Sequence, residues 1–245
     1  MPEPKFSVLI PAYNEAELIG ATIDCIHRSF SAVGEPSYEI IVCDNHCADA
    51  TSDIARSHGA QVVFEPHNQI SRARNAAARE AKGKWLIFLD ADTVLNPGVL
   101  SETLSALESG KAGAGGAVMA LDTSEIAWIM RQWLKTWNRI SVRFQLAAGA
   151  YLYCHRRAWA ETGGFDESIY VGEEIGFAIK LQEWCRGSNL EFHVVTTAPV
   201  VTSARKLRWY SGWQIFKQFM LLCLPRAATR RSSCAMWYTR PSPRG

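Results

Sequence analysis

The sequence predicts an α/β fold in which a mostly parallel central sheet is flanked by helices. Short apolar runs alternate along the chain with segments whose apolar residues recur every three or four positions, and the links between them are short. With 245 residues, 48% of them hydrophobic, the chain is long and apolar enough for one large domain with a sizeable core. We expect this domain to cover residues 1–205 and a basic tail to follow over 206–245.

Six apolar runs predict the strands, because each is short and is bounded by a turn or by polar residues. They cover 6–10, 38–43, 61–64, 84–89, 117–121 and 150–154. Asn14 and Glu17 form the pattern of a capping box and predict the start of the first helix. Asn96 and Pro97 predict the start of another helix in the same way. Helical spacing predicts the other helices over 48–58, 71–82, 124–144 and 173–184.

Carboxylates follow two of the predicted strands. Asp44 follows the strand over 38–43, and Asp90 and Asp92 follow the strand over 84–89. Ligands of parallel sheets bind beyond the carboxyl ends of the strands, so these side chains are expected to share one edge. Paired carboxylates there suit Mg²⁺ or Mn²⁺, which commonly complete their shells with water and substrate phosphate.

Two further pairs of charged residues have two interpretations each. Arg72 and Arg74 lie on a predicted helix, where one could bind a diphosphate or both could be ordinary surface arginines. Glu173 and Glu174 open another helix, where one could act as a general base or both could compensate the helix dipole.

Six motifs occur in a fixed order along the chain. They are VLIPAYNE (8–15), DNHCADAT (44–51), ARN (73–75), LDADT (89–93), GGFDE (163–167) and GEE (172–174). The ordered set, which spans roughly residues 5–185, resembles the family 2 inverting glycosyltransferases of the GT-A fold. This resemblance implies a nucleotide-diphospho-sugar donor, a divalent metal (Mn²⁺ or Mg²⁺) and an acceptor hydroxyl.

The resemblance also implies roles for individual residues. The residues implied to bind the nucleotide sugar are Pro11, Tyr13, Glu15, Asp44, Arg72 or Arg74, and Asp90. The residues implied to bind the metal are Asp92 and Asp90. The catalytic base lies in the pair Glu173–Glu174, of which Glu174 aligns best, and Arg205 is a candidate for an arginine that covers the donor.

The sequence allows two functions other than sugar transfer to be considered. The acidic pair is Glu-Glu followed by Ile175 and Gly176, where the family usually has Glu-Asp, and this departure favours a nucleotide-sugar-binding protein without transfer activity. A nucleotidyltransferase or dinucleotide-binding enzyme would need a Gly-rich phosphate loop after the first strand, and residues 11–14 (PAYN) are not one.

The net charge of +2 hides an uneven distribution. Residues 1–191 hold 17 basic and 24 acidic side chains, whereas residues 192–245 hold nine basic and no acidic ones. No nucleic-acid partner is expected. Seven scattered cysteines and no visible signal peptide favour a cytoplasmic protein with reduced thiols.

The basic tail and one helix raise the question of a membrane. The tail combines its bases with Trp209, Tyr210 and Trp213, which favours peripheral attachment to the inner membrane face; the alternative is a tail helix packed on the body with a disordered end. The helix over 124–144 carries an apolar stripe and four bases spaced by four. It either covers the core with a solvated basic face or contacts an anionic surface.

Overall fold

Eight strands form one sheet in the computed structural model, which describes residues 3–122, 128–147, 149–205, 209–210, 212–222 and 226–238. The strands are β1 (Phe6–Ala12), β2 (Tyr38–Asp44), β3 (Gln61–Phe64), β4 (Trp85–Leu89), β5 (Thr93–Val94), β6 (Ala112–Leu121), β7 (Tyr151–His155) and β8 (Glu191–Thr202). Their order in the sheet is β3-β2-β1-β4-β7-β6-β8-β5.

Helices cover both faces of this sheet. They are α1 (Ile19–Ala32), α2 (Thr51–Ser57), α3 (Ile70–Glu80), α4 (Pro97–Glu108), α5 (Trp128–Phe144), α6 (Arg156–Thr162), α7 (Glu173–Gly187), α8 (Gly212–Leu222) and the short α9 (Ala235–Tyr238). Helices α1, α2 and α4 bury their apolar residues on one face, and α3, α6 and α7 on the other. Alternate residues of β1 point into the two cores, Val8 and Ile10 into one and Leu9 into the other.

The α/β prediction is confirmed, and the first four long strands, β1 to β4, are parallel as expected. The carboxyl ends of β1, β2 and β4 therefore meet at one edge. Two of the described strands depart from the parallel pattern. The two-residue β5 pairs antiparallel with β8, and β7 runs antiparallel between β4 and β6. This reversal brings the chain before Tyr151 to the same edge, where the Asp90 amide donates to the carbonyl of Ala150 at 3.3 Å.

The predicted capping box at Asn14 is wrong. Helix α1 begins at Ile19, and its cap residue, Leu18, makes no side-chain capping bond. The Asn14 side chain instead accepts a hydrogen bond from the amide of Ala48 at 2.7 Å, and its backbone has a positive φ of 54°. Asn14 thus joins two loops at the sheet edge. The cap at Asn96 is confirmed, since its side chain accepts from the Gly98 amide.

The apolar pattern does not predict strand β8, because Pro199 interrupts it. The β6–β8 pairing shifts register between Ala117–Val195 and Met119–Val200, and Pro199 lies inside that irregularity. A proline is tolerated there because the ladder does not need its missing N–H. The strands β5 and β8 then pair and end at the candidate site.

Helix α5 does not pack through its apolar stripe. Ser141 is buried, and the Asn138 side chain clamps the backbone of Met119 on β6 with bonds of 3.2 and 2.9 Å. The stripe is exposed instead: Trp133 is 49% and Phe144 59% accessible. At the described positions Trp133, Ile140 and Phe144 the stripe therefore does not cover the core, whereas the four bases are exposed as expected.

Part of the basic C-terminal segment is folded against the domain. The Tyr170 amide donates to the carbonyl of Ala228, and the Tyr238 hydroxyl donates to the carbonyl of Tyr170, both at 2.7 Å. Arg231 also bonds the side chain of Asn68 at 2.8 Å. Residues 239–245 of the predicted tail lie outside the described residues. Within the described part of the chain, no helix combines the length and the apolar character that crossing a bilayer requires.

Candidate functional site

Arg74 forms the centre of a buried charge cluster. Small residues on the buried side of α3, among them Ala73, Ala77 and Ala78, allow this helix to lie close to the sheet. Arg74 donates from Nη1 to Glu173 at 2.7 Å, and from Nη2 to Asp90 and to the carbonyl of Gly149 at 2.9 Å each. Its side chain is only 4% exposed.

The charges around Arg74 keep it protonated. Burial opposes the charge of the guanidinium, but the carboxylates of Asp90, Glu173 and Glu174 outweigh burial and raise the pKa of Arg74. One cation therefore holds together three acids from two distant parts of the sequence.

The two glutamates at the start of α7 have different surroundings. Gly172 caps the helix in a left-handed conformation with φ of 84°, so both carboxylates lie in its first turn. Glu173 is buried and bound to Arg74, whereas Glu174 is partly exposed and lies against Gly149.

Both glutamates bind a proton more readily than exposed ones do. Burial raises the pKa of Glu173, the charge of Glu174 adds to this effect, and Arg74 opposes it. Burial likewise raises the pKa of Glu174, again against the influence of Arg74. The pair therefore has the property that a general base working near neutral pH requires.

Asp92 lies on the other side of Asp90, next to the end of β8. Its side chain is 10% exposed, with Oδ2 at 3.4 Å from Arg205 Nη2 and Oδ1 at 3.4 Å from the hydroxyl of Thr202. Arg205 Nη2 also forms an ion pair with Glu15, which follows β1. A second cation thus neutralises acids from the ends of two strands.

A pocket is lined by members of both clusters, but of the Arg74 cluster only Asp90 lines it, and Glu173 and Glu174 are not among its lining residues. Its wall includes Pro11, Tyr13, Glu15, Asp90, Asp92 and Arg205. Residues of the loops after β1 and β4 line it, and so do the C-terminal residues Met236, Trp237 and Tyr238. Six of the residues implied by the sequence motifs or by resemblance therefore line one cavity.

Asp44 and Arg72 are not among the residues that line this pocket. Asp44 accepts hydrogen bonds from the Cys47 amide at 2.7 Å and the Ser52 hydroxyl at 2.5 Å. Partial burial opposes the charge of Asp44, yet these bonds lower its pKa. Arg72 forms an ion pair with Glu167 at 3.1 Å, so Arg74 is the arginine that lies beside the acidic residues.

The sequence also matches a model of a protein family. Residues 7–159 match the model of glycosyl transferase family 2. The chain belongs to this family.

Relatives in the family share only part of their length with this chain. Validoxylamine A glucosyltransferase of Streptomyces hygroscopicus subsp. jinggangensis is 32% identical over 109 residues, which cover 42% of this chain and 25% of that protein. The chain thus spans about a quarter of this curated relative.

Two solved structures have a similar fold over nearly the whole chain. A mannosyltransferase from Pyrobaculum calidifontis, solved with GDP-mannose and Mn²⁺, gives a TM-score of 0.67 at 21% identity and covers 98% of this chain and 66% of its own. Glucosyl-3-phosphoglycerate synthase from Mycobacterium tuberculosis was solved with Mn²⁺, UDP and phosphoglyceric acid. It gives a TM-score of 0.61 at 17% identity, and the match covers 99% of this chain and 81% of the synthase. At these identities the likeness establishes the GT-A fold, which confirms the fold expected from the family motifs.

The C-terminal residues of the pocket wall could not be found from the motifs. Trp209, Trp237 and Tyr238 follow the last motif by more than 30 residues, and the sequence of their segment allows either a membrane-binding tail or a tail packed on the body. The available signal was the Trp-Tyr pair at 237–238, which is apolar in a segment that is otherwise basic and polar.

Proposed function

We propose that this protein transfers a sugar from a nucleotide-diphospho-sugar to an acceptor hydroxyl, with inversion at the anomeric carbon. The observation that carries the proposal is the Arg74 cluster. It joins Asp90, at the pocket where a diphosphate would lie, to the glutamate pair, where a base would act. A single displacement needs a leaving-group site and a base next to each other.

The donor site in this proposal is the pocket over Asp90 and Asp92. Tyr13, Asn45, Arg205 and Trp209 also line it. The mannosyltransferase and the phosphoglycerate synthase of the same fold were solved with GDP-mannose and with UDP, which supports a nucleoside diphosphate at this sheet edge. Which nucleobase and sugar are bound depends on loop shapes that differ between such proteins.

A divalent metal fits the oxygen ligands of this pocket. Asp90 and Asp92 offer carboxylate oxygens, the ligand type that Mg²⁺ and Mn²⁺ prefer. The described residues contain no group of three or more His, Cys, Asp or Glu side chains arranged around an ion. Phosphate oxygens and water would therefore complete the shell, and the bound ion would stabilise the charge that grows on the departing diphosphate.

Glu174 is the proposed base, and Glu173 is a positioning residue. Glu173 already uses its carboxylate on Arg74, whereas Glu174 remains accessible beside Gly149. The bond of Glu173 to Arg74, which also bonds Asp90, holds the start of α7 against the end of β4. This division of roles leaves one carboxylate free to take the proton from an acceptor hydroxyl.

Changing Asp92 to asparagine is expected to remove most of the metal dependence of nucleotide binding. Wild-type protein should bind UDP or GDP at least about tenfold more tightly with Mn²⁺ than without it, since a charged ligand contact contributes about 1.5–3 kcal/mol. Titration calorimetry with both nucleotides measures this difference. Asp53→Asn, which changes an exposed acid on α2, is the control and should bind like wild type. Equal affinity with and without Mn²⁺ in wild type would disprove the metal site.

We also propose that the acceptor is lipid-linked and that the protein attaches to an anionic membrane through α5. The exposed stripe of Trp133, Ile140 and Phe144 follows helical steps of seven and four, so these side chains share one face. Residues 128–144 contain four bases and no acid, which complements an anionic surface.

The position of α5 supports this attachment. Its carboxyl end is held to α7, because the Gln182 amide donates to the carbonyls of Phe144 and Gln145 at 3.2 and 2.8 Å. The chain then runs directly to Gly149, which borders Arg74 and Glu174. An acceptor carried by a membrane under α5 would reach the glutamates over a short path.

Phe144→Glu is expected to weaken binding to anionic vesicles by about tenfold or more. Burying one such side chain contributes about 1.5–3 kcal/mol, and the new charge repels the lipid. Co-sedimentation with phosphatidylcholine vesicles containing phosphatidylserine, at low and high salt, measures the change. Phe64→Glu is the matched control, because Phe64 is 62% exposed on β3.

Three results would contradict membrane attachment. They are failure of wild type to sediment with anionic vesicles at low salt, equal losses for Phe144→Glu and Phe64→Glu, and a lipid-free dimer that Phe144→Glu dissociates. The last result would mean that a second copy covers the stripe.

A further inference from the structure

Arg205 lies where the acidic residues of the donor pocket would receive a metal ion. It follows β8 by three residues, and its Nη2 group contacts Asp92 at 3.4 Å and pairs with Glu15. The side chain is 9% exposed and lines the pocket together with Trp209, whose ring centroid is 5.4 Å from the guanidinium carbon. The acids of the pocket are thus partly neutralised by the protein itself.

The hydrogen bonding of Arg205 is incomplete. A guanidinium has five N–H donors, and here Nη2 makes both carboxylate contacts. Nε and Nη1 are buried, and neither has a hydrogen-bond partner among the described residues. Buried donors of a charged group are costly to leave unpaired, so this arrangement fits a state that waits for further acceptors.

Arg205 therefore combines two properties. Its positive charge lies next to Asp92, and its Nε and Nη1 donors can bind an anion. A divalent ion approaching Asp92 in the empty pocket meets a positive charge a few ångströms away, which opposes binding. A diphosphate arriving with the ion offers oxygens to Nε and Nη1 and compensates for the contact that Arg205 loses.

We propose that Arg205 is an internal counter-ion that makes metal binding depend on the nucleotide. In the empty protein it holds Asp92 and Glu15, and metal alone binds weakly. When the nucleoside diphosphate binds, Arg205 transfers its contacts to the phosphates and leaves Asp92 to the ion. The two ligands then favour each other's binding, and the coupling is the same in both directions. This inference rests on the proposed donor and metal site.

Titration of Mn²⁺, followed by the electron paramagnetic resonance of the free ion, tests the proposal without any assay of activity. Wild type should bind Mn²⁺ weakly alone and at least tenfold more tightly with UDP or GDP. Arg205→Met should bind Mn²⁺ alone about tenfold more tightly than wild type, and adding nucleotide should improve this binding much less. Arg205→Lys keeps the charge but not the fork of donors, so it should bind Mn²⁺ alone as weakly as wild type while losing nucleotide affinity.

Arg230→Met is the matched control, because Arg230 is an exposed arginine of the same C-terminal segment and is not among the residues that line the pocket. It should leave both affinities unchanged, and thermal unfolding of each variant shows that the fold is retained. If wild type binds nucleotide with Mn²⁺ but Arg205→Met does not strengthen binding of Mn²⁺ alone, the counter-ion role is wrong. If wild type binds no nucleoside diphosphate under any condition, the proposed function fails as well.

Discussion

Replacing Glu174 with glutamine is expected to lower kcat about 100-fold or more and to leave nucleotide affinity nearly unchanged. Glutamine preserves the shape and the polar contacts of the side chain but cannot accept the proton of an acceptor hydroxyl. General-base catalysis typically contributes a factor of about 10² to 10⁴, which sets the scale. Release of nucleoside diphosphate from a nucleotide sugar, with the acceptor present, measures kcat, and calorimetry measures the affinity.

The matched variant is Glu173→Gln, one residue away on the same helix. Its carboxylate is bound to Arg74, so the substitution should lower thermal stability and disturb the Arg74 cluster. Any loss of kcat would then come from this disturbance and not from the loss of a base. Unchanged turnover of Glu174→Gln, with nucleotide bound normally, would remove Glu174 from the role. Wild-type protein that binds donor but releases no nucleoside diphosphate with any acceptor would favour a binding protein without transfer activity.

The raised pKa values of the two glutamates predict how the reaction rate depends on pH. A base must be deprotonated to act, and burial favours the protonated form. Activity should therefore fall on the acid side at a higher pH than an exposed glutamate would give. The apparent value belongs to the pair, because the two carboxylates influence each other.

Replacing Arg74 with methionine is expected to lower the free energy of unfolding by about 3–5 kcal/mol. The change leaves Asp90, Glu173 and Glu174 close together without their cation, and breaking a buried charge pair has this cost. For a chain of this size, each kcal/mol corresponds to roughly 2–4 °C, so Tm should fall by on the order of 10 °C. Thermal unfolding followed by circular dichroism measures it.

Arg79→Met is the control for Arg74→Met. Arg79 lies on the same helix and pairs with Glu167, but its side chain is 54% exposed. Exposed pairs contribute about 0–1 kcal/mol, so Tm should change little. A similar small change for Arg74→Met would mean that the three acids lose their charges or reach water without difficulty, and that the cluster does not hold the site together.

The strand and helix pattern predicted the first half of the fold because each element is set by local spacing of apolar residues. Strands β1 to β4 and the cap at Asn96 follow from residues close in sequence. Strand β8 could not be predicted in this way, because Pro199 fits only where the β6–β8 register shifts, and that depends on a partner about 80 residues away. The direction of β7 likewise depends on its neighbours β4 and β6.

The candidate site divides along the same line. The motifs, and the resemblance that they carry, gave Glu15, Asp90, Asp92 and the pair Glu173–Glu174 as candidates, since carboxylates at strand ends and helix starts have recognisable sequence surroundings. They left Arg72 and Arg74 equivalent. The packing of α3 separates them: it buries Arg74 under the strand ends and leaves Arg72 with Glu167 at the surface.

For helix α5, the sequence determined that an apolar stripe and a row of bases exist, because side-chain spacing on a helix is fixed by its geometry. Only the tertiary structure decided which side packs: Asn138 contacts β6 and Ser141 is buried, whereas Trp133, Ile140 and Phe144 are exposed. Arg205 shows the same limit more sharply. Its charge and position in the chain are evident from the sequence, but its contacts with Asp92 and Glu15 arise because β8 and β1 end at the same edge, and long-range strand pairing is a property of the whole fold.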